Sequence, residues 1–362
     1  MGKENRNVVI ELWKFIIVIS LIGFNIGYVL ESNCDELNVF FINKSNWFLG
    51  SYHVLIIVPI IIGYLLVNHY KNSKKELVKS PLKKSIEFII PIIKKVLPLL
   101  IIGYILSIFI GIKFYYPSYN FIDIISMIVN NIWNFLGFSS IGLSSINGEF
   151  YFLNSPLVLV SSILIVSYFV YYILCKNEEL FVGFIFPALI IIITLFKSLL
   201  NNITIFTVYG ILIGVILYYI VDKLKSVRLN KRKKIILTVI NAICSLLLIW
   251  YIVYRPTIFN LEFNTILLFS IIVVGITFLK KDYFTILINN DYSTKVVFNY
   301  LGELSLYVYM IHYPIAVLIL RILGPNTLSS AYSMFQVYIP TLAISISLSI
   351  FIKNVINEIK NI

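Results

Sequence analysis

Long apolar runs recur along this chain from one end to the other, and they leave few alternatives for its fold. A helix needs about 20 apolar residues to cross the hydrocarbon of a bilayer, where it satisfies its own backbone hydrogen bonds. The chain is 59% hydrophobic and 13% charged, whereas a typical soluble domain is about one-quarter charged. No linker rich in Gly, Ser or Pro separates the runs. We therefore predict an all-α polytopic integral membrane protein, with residues 1–362 forming a single transmembrane domain.

About ten runs meet the length requirement for a transmembrane helix. They lie at about 8–30, 49–69, 86–112, 151–175, 180–196, 203–221, 235–254, 263–279, 300–322 and 333–352. The segment 114–150 is longer than an ordinary connection. Polar residues recur at helical spacing in its middle, so we predict an interfacial or partly re-entrant helix outside the cell.

The distribution of Lys and Arg predicts the orientation. If the N-terminus is cytoplasmic, 21 of the 29 Lys and Arg residues fall in cytoplasmic loops, 4 in external loops and 4 within spans. Cytoplasmic loops of membrane proteins carry such an excess, so both termini are expected in the cytoplasm and the protein in the cell (plasma) membrane. Most of the Lys and Arg residues that give the net charge of +12 lie between apolar runs. This distribution therefore indicates contact with membrane lipid rather than with nucleic acid.

Three polar residues of the first predicted span define a face of that helix. Glu11 and Lys14 are three residues apart, a spacing that allows an ion pair. Asn25 follows Lys14 by eleven residues, which is almost three whole turns and about 16 Å along the axis. Charged groups in spans usually face a cavity or a partner, so this face is predicted to look into the bundle. The alternative is that Lys14 reaches the cytoplasmic headgroups.

Further polar residues lie inside other predicted spans. Lys94 and Lys95 stand between Pro91 and Pro98, where they suit either a bound anion such as a pyrophosphate or lipid headgroups. His312 lies in the middle of its span, just before a proline. A lone histidine of this kind is more often a hydrogen-bonded packing residue than a catalyst.

Several common chemistries lack support in the sequence. Cys34, Cys175 and Cys244 are far apart and form neither a disulfide framework nor a metal-ligand spacing. The sequence contains no Walker loop, HExxH motif or GxSxG motif. We therefore expect no metal centre.

Segments along the chain resemble, in order, the motifs of the membrane-bound acyltransferase family 3. They are IELWKF at 10–15, WFLG at 47–50, IGYLL at 62–66, KKVLP at 94–98, NGEFYFL at 147–153 and LGELSLYVYMIHYP at 301–314. Members of this family acylate sugars of exopolysaccharides, lipopolysaccharides and peptidoglycan. The resemblance implies a transferase of about ten spans that acts, for instance by O-acetylation, in the cell envelope.

The resemblance also implies a donor and an acceptor. The implied donor is a cytoplasmic acyl-CoA, with acetyl-CoA as the first choice, whose phosphates would be held by Lys14, Lys94 and Lys95. The acceptor is a hydroxyl of a glycan or a lipid-linked sugar. Other proteins of envelope biosynthesis are possible partners.

The family places a histidine eleven residues after the basic residue of its first helix, and here that position is Asn25. A carboxamide does not titrate near neutral pH. His312 and Glu149 are therefore the remaining candidates to assist proton transfer. The alternative is a non-catalytic member of the fold that exports or positions a polysaccharide or glycolipid. An unrelated secondary transporter is a third possibility, but we find no inverted repeat with paired broken helices.

Overall fold

The computed structural model describes residues 7–33, 51–73, 80–110, 112–113, 120–135, 155–253, 263–323 and 333–361. Every regular element within these residues is helical. The helices are α1 (Val8–Asn33), α2 (Ser51–Val54), α3 (Ile57–Ser73), α4 (Pro81–Ile110), α5 (Phe121–Phe135), α6 (Ser155–Leu180), α7 (Phe186–Leu195), α8 (Ile203–Lys225), α9 (Lys231–Val253), α10 (Phe263–Leu279), α11 (Tyr283–Asn290), α12 (Tyr292–Leu323) and α13 (Ser333–Asn361). A π-helical turn, Phe181–Ile185, joins α6 to α7.

The predicted class is confirmed at the level of a helical membrane protein. Seven helical segments of the described chain are long and apolar enough to cross a membrane, or eight if α10 and the bent α11 count as one. Large apolar side chains such as Ile105 and Phe109 of α4 are 58% and 63% exposed. Such exposure suits a surface that faces lipid.

Polar side chains cap the helices where the chain leaves a loop. Asn7 Oδ1 accepts a hydrogen bond from the Val9 N–H (3.2 Å) at the start of α1. Asn202 Oδ1 accepts from the Thr204 N–H (2.9 Å) at the start of α8. These bonds satisfy amides that have no partner within their own helix, so the starts of α1 and α8 are set by local sequence.

The centre of the bundle consists of two close helix pairs, α1 with α12 and α3 with α8. A Cβ added at Gly63 of α3 would lie 2.9 Å from the carbonyl carbon of Ile211 in α8. A Cβ added at Gly214 of α8 would lie 2.9 Å from the carbonyl carbon of Ile60. The backbones of α3 and α8 are therefore nearly in contact, as at small-residue interfaces in membranes.

Helix α6 runs in the same direction as α8. Near its start, Ser162 Oγ lies 3.5 Å from Thr204 Oγ1. Near its end, the Tyr219 hydroxyl donates to Glu178 Oε1 (2.8 Å). From the first contact to the second, the residue numbers rise in both helices, so the helices are parallel.

The chain reverses direction after α6. Asn177 has non-helical backbone angles (φ −158°, ψ 87°), and its Oδ1 accepts from the N–H of Leu180 (3.1 Å), which starts the next helical stretch. That stretch runs back along α8, because Val182 lies beside Tyr219 and the Thr194 hydroxyl lies 2.8 Å from the Tyr209 hydroxyl. The turn coincides with the boundary predicted between the spans at 151–175 and 180–196.

Part of the segment 114–150 is helical, as predicted. Helix α5 packs on α4 and α6, and the Tyr104 hydroxyl of α4 donates to the Ile128 carbonyl (2.8 Å). Phe121 and Ile122 at its start are 76% and 75% exposed. An amphipathic helix with exposed apolar residues suits a membrane interface.

Candidate functional site

The candidate site is a buried contact between α1 and α12. Asn25 Nδ2 lies 2.8 Å from His312 Nε2, although the two residues are 287 positions apart in the chain. Asn25 is 8% exposed and His312 is fully buried. Sequence reasoning singled out both residues but predicted no contact between them.

Backbone carbonyls determine which ring nitrogen of His312 carries the proton. Its Nδ1 lies 2.8 Å from the Tyr309 carbonyl oxygen and 3.3 Å from that of Val308. A carbonyl oxygen can only accept, so we assign the proton to Nδ1. Nε2 of a neutral ring then bears the lone pair and accepts a hydrogen bond from Asn25 Nδ2. His312 therefore presents its basic nitrogen to Asn25.

A carboxamide can serve both charge states of the imidazole. It donates from Nδ2 to a neutral ring, and after rotation by half a turn its Oδ1 accepts from the N–H of an imidazolium. Asn25 can thus stay hydrogen-bonded to His312 before and after the ring takes up a proton.

The predicted pair on the first helix is formed. Lys14 Nζ donates to Glu11 Oε1 at 2.8 Å, with the Glu11 side chain 9% exposed and that of Lys14 32% exposed. Glu11 packs directly against Gly302 of α12, where an added Cβ would lie 2.9 Å from Glu11 Cα. Along the axis of α1, Lys14 lies about 16 Å from Asn25, because eleven residues separate them.

The remaining predicted site residues lie elsewhere. Lys94 and Lys95 are exposed on α4, which continues as a helix through Pro91 and Pro98. Glu149 lies outside the described residues. The structure thus brings Asn25 to His312 and Lys14 to Glu11, while the two lysines of α4 stand on an exposed surface.

Sequence reasoning missed a second polar contact of α12, which lies next to Gly302. Lys353 of α13 forms an ion pair with Glu303 (3.0 Å) and lies 4.0 Å from the centroid of the Tyr300 ring. Farther along, the Tyr338 hydroxyl donates to the Ile19 carbonyl (3.3 Å). Helix α13 therefore packs on both α1 and α12 and is antiparallel to them. A glutamate in the motif at 301–314 and a lysine just after the last predicted span were the available signals.

Comparison with protein-family models, curated proteins and solved structures finds no match to this chain. Within the described residues, no three His, Cys, Asp or Glu side chains are grouped so that they could hold a metal ion.

Proposed function

We propose that this protein is a membrane O-acyltransferase-like protein. It would transfer an acyl group, most simply acetyl, from cytoplasmic acyl-CoA to a hydroxyl of a cell-surface polysaccharide or lipid-linked sugar. The observation that carries the proposal is the buried hydrogen bond between Asn25 and His312. It brings an imidazole of α12 next to Asn25, which occupies the position on α1 where the resembled family has its own histidine.

In this proposal His312 acts as the general base. Rotation of the Asn25 amide frees Nε2, which takes the proton of the acceptor hydroxyl while that oxygen attacks the thioester carbonyl. The tetrahedral intermediate collapses to the ester and releases the thiolate of CoA, which recovers the proton from the imidazolium. The carbonyls of Tyr309 and Val308 keep the ring oriented through Nδ1, and Lys14 is the anchor for the phosphates of the donor.

The proposed topology has ten crossings, with both termini in the cytoplasm. Besides the seven qualifying segments, α3 and α10 have 17 residues each, and the reversal at Asn177 divides one long segment into two. The parallel packing of α6 and α8 and the antiparallel packing of α13 on α1 support an alternating arrangement. The excess of Lys and Arg supports the orientation.

A second candidate is a non-catalytic protein of the same architecture that exports or positions a glycan or glycolipid. The occupied Nε2 of His312 favours it, because a base must have its lone pair free to accept a proton. In that case the Asn25–His312 bond is a structural link between α1 and α12.

The two candidates predict different results for acyl transfer from radiolabelled acetyl-CoA to cell-envelope glycan in membrane vesicles. For an enzyme, His312→Gln should reduce transfer by roughly 100- to 10,000-fold, the usual contribution of a general base. Asn25→Ala should reduce it less, since the base remains. His69→Gln is the matched control, because His69 is bonded instead to the Tyr171 hydroxyl (3.3 Å).

The same assay includes Asn25→His, which introduces the imidazole of the resembled family. Transfer that appears only in this variant would identify a degenerate enzyme. No transfer by the folded native protein or by Asn25→His, with unchanged glycan acylation in a deletion strain, would sink the acyltransferase proposal and leave the non-catalytic one.

A further inference from the structure

The break between α10 and α11 contains a fully buried carboxylate. The two helices meet at 53°, and Asp282 at the junction has no exposed surface. Its Oδ2 accepts hydrogen bonds from the Thr285 N–H (3.0 Å) and from Asn241 Nδ2 of α9 (3.3 Å). The carboxylate is therefore held in place from two sides.

Three oxygen atoms around this carboxylate are buried without a hydrogen-bond partner. They are Asp282 Oδ1, Asn241 Oδ1 and Thr285 Oγ1. Each belongs to Asp282 itself or to a residue that is hydrogen-bonded to its Oδ2, so the three residues are neighbours. Buried polar atoms are nearly always satisfied in native proteins. Three such oxygens in one cluster indicate a missing partner.

The charge of Asp282 also lacks a partner. No ion pair of the described residues includes it. The adjacent Lys281 directs its ammonium group to the end of α8, where it donates to the carbonyls of Leu224 (2.9 Å) and Val227 (2.6 Å). An unpaired buried charge is costly. Asp282 caps the first turn of α11, so that helix end stabilises part of its charge, and a bound cation would balance the rest.

We propose that Asp282, Asn241 and Thr285 bind a monovalent cation such as sodium. Carboxylate, amide and hydroxyl oxygens are the ligands of hard cations, and the single carboxylate balances a single positive charge. The last carbonyls of a helix have no partner within it and can supply further ligands. The C-terminal end of α10 lies in this position.

Such a cation would also affect α1. Asn7 Nδ2 at the start of α1 donates to the Thr277 carbonyl of α10 (2.7 Å), and the Val8 N–H donates to Asn289 Oδ1 of α11 (3.1 Å). The N-terminus of α1 therefore rests on both helices that meet at the cluster. A bound ion would stabilise the position of α1 and hence of the Glu11–Lys14 pair.

The test is the thermal stability of the purified full-length protein in detergent, in NaCl or choline chloride at equal ionic strength. We expect sodium to raise Tm saturably by about 3–6 °C. Thr285→Val should increase the half-saturating sodium concentration at least about tenfold, because it removes one ligand while keeping the side-chain shape and the capping N–H. Asp282→Asn should abolish the response if the variant folds.

Thr341→Val is the matched control, since Thr341 Oγ1 on α13 is also buried without a partner but lies outside the cluster. Its sodium response should equal that of the native protein. Equal Tm in sodium and choline, or a full sodium response in Thr285→Val, would overturn the proposal. The cluster would then hold a trapped water or a proton.

Discussion

At the scale of single residues, the decisive feature is that the imidazole comes from α12 rather than α1. Asn25 occupies the position at which the resembled family has a histidine, and His312 reaches it through a 2.8 Å contact. The carbonyls of Tyr309 and Val308 set the tautomer of His312. In the proposed enzyme, Asn25 therefore covers the Nε2 of a base on another helix until its amide rotates away.

The role of Lys14 is testable at the same scale because the residue has a close partner. If Lys14 anchors the donor, Lys14→Met should weaken CoA binding by at least about tenfold, the size of a charge-assisted hydrogen bond. Glu11→Gln breaks the same ion pair but keeps the lysine, so its CoA affinity should be equal or higher. Isothermal titration of the purified variants with CoA measures both. Equal losses in the two variants would assign Lys14 a structural role.

At the scale of elements, small residues allow α3 and α8 to approach each other at backbone distance. Gly63 and Gly214 lie on the two sides of this interface. Both are needed because the carbonyl groups of the facing helix occupy the space of a side chain. The α3–α8 pair in turn supports α6, whose Glu178 is bonded to Tyr219 of α8.

Gly63→Ala should therefore force α3 and α8 apart. We expect a loss of about 1–3 kcal/mol in the free energy of unfolding, as for overpacked cores, measured as a lower Tm in detergent. Gly183→Ala is the control, because a Cβ at Gly183 would have no atom within 4 Å. A Tm for Gly63→Ala equal to that of the control would show that the interface can relax without cost.

At the scale of the whole molecule, the contacts between helices fit one alternating arrangement. Gly302 lies beside Glu11 and His312 beside Asn25, so α1 and α12 run in the same direction. Helix α13 is antiparallel to both. Parallel helices that are remote in sequence thus pack against each other. The candidate site therefore lies between the first and the penultimate predicted spans.

The proposed topology predicts the outcome of labelling introduced cysteines in intact cells with a membrane-impermeant maleimide. Cysteines in 31–48 and 114–150 should react from outside. Those in 71–84, 222–234 and 280–299 should react only after the membrane is permeabilised, because these loops carry the basic residues that remain in the cytoplasm. External labelling of 222–234, or protection of 114–150, would contradict the ten-span arrangement.

The sequence alone determined the helical membrane class, the positions of most helices and the face shared by Lys14 and Glu11. These properties follow from hydropathy and helical period, which are local. The turn at Asn177 was also predictable, because two apolar runs were too long together for one crossing.

Only the tertiary structure decided which polar residues meet. His312 contacts Asn25 and Asp282 contacts Asn241, and nothing in the local pattern of either segment specifies its partner. In a bilayer all the helices are similarly apolar, so hydropathy does not distinguish one neighbour from another. Close packing at glycines and hydrogen bonds between buried polar groups distinguish them instead, and both depend on distances between segments remote in sequence.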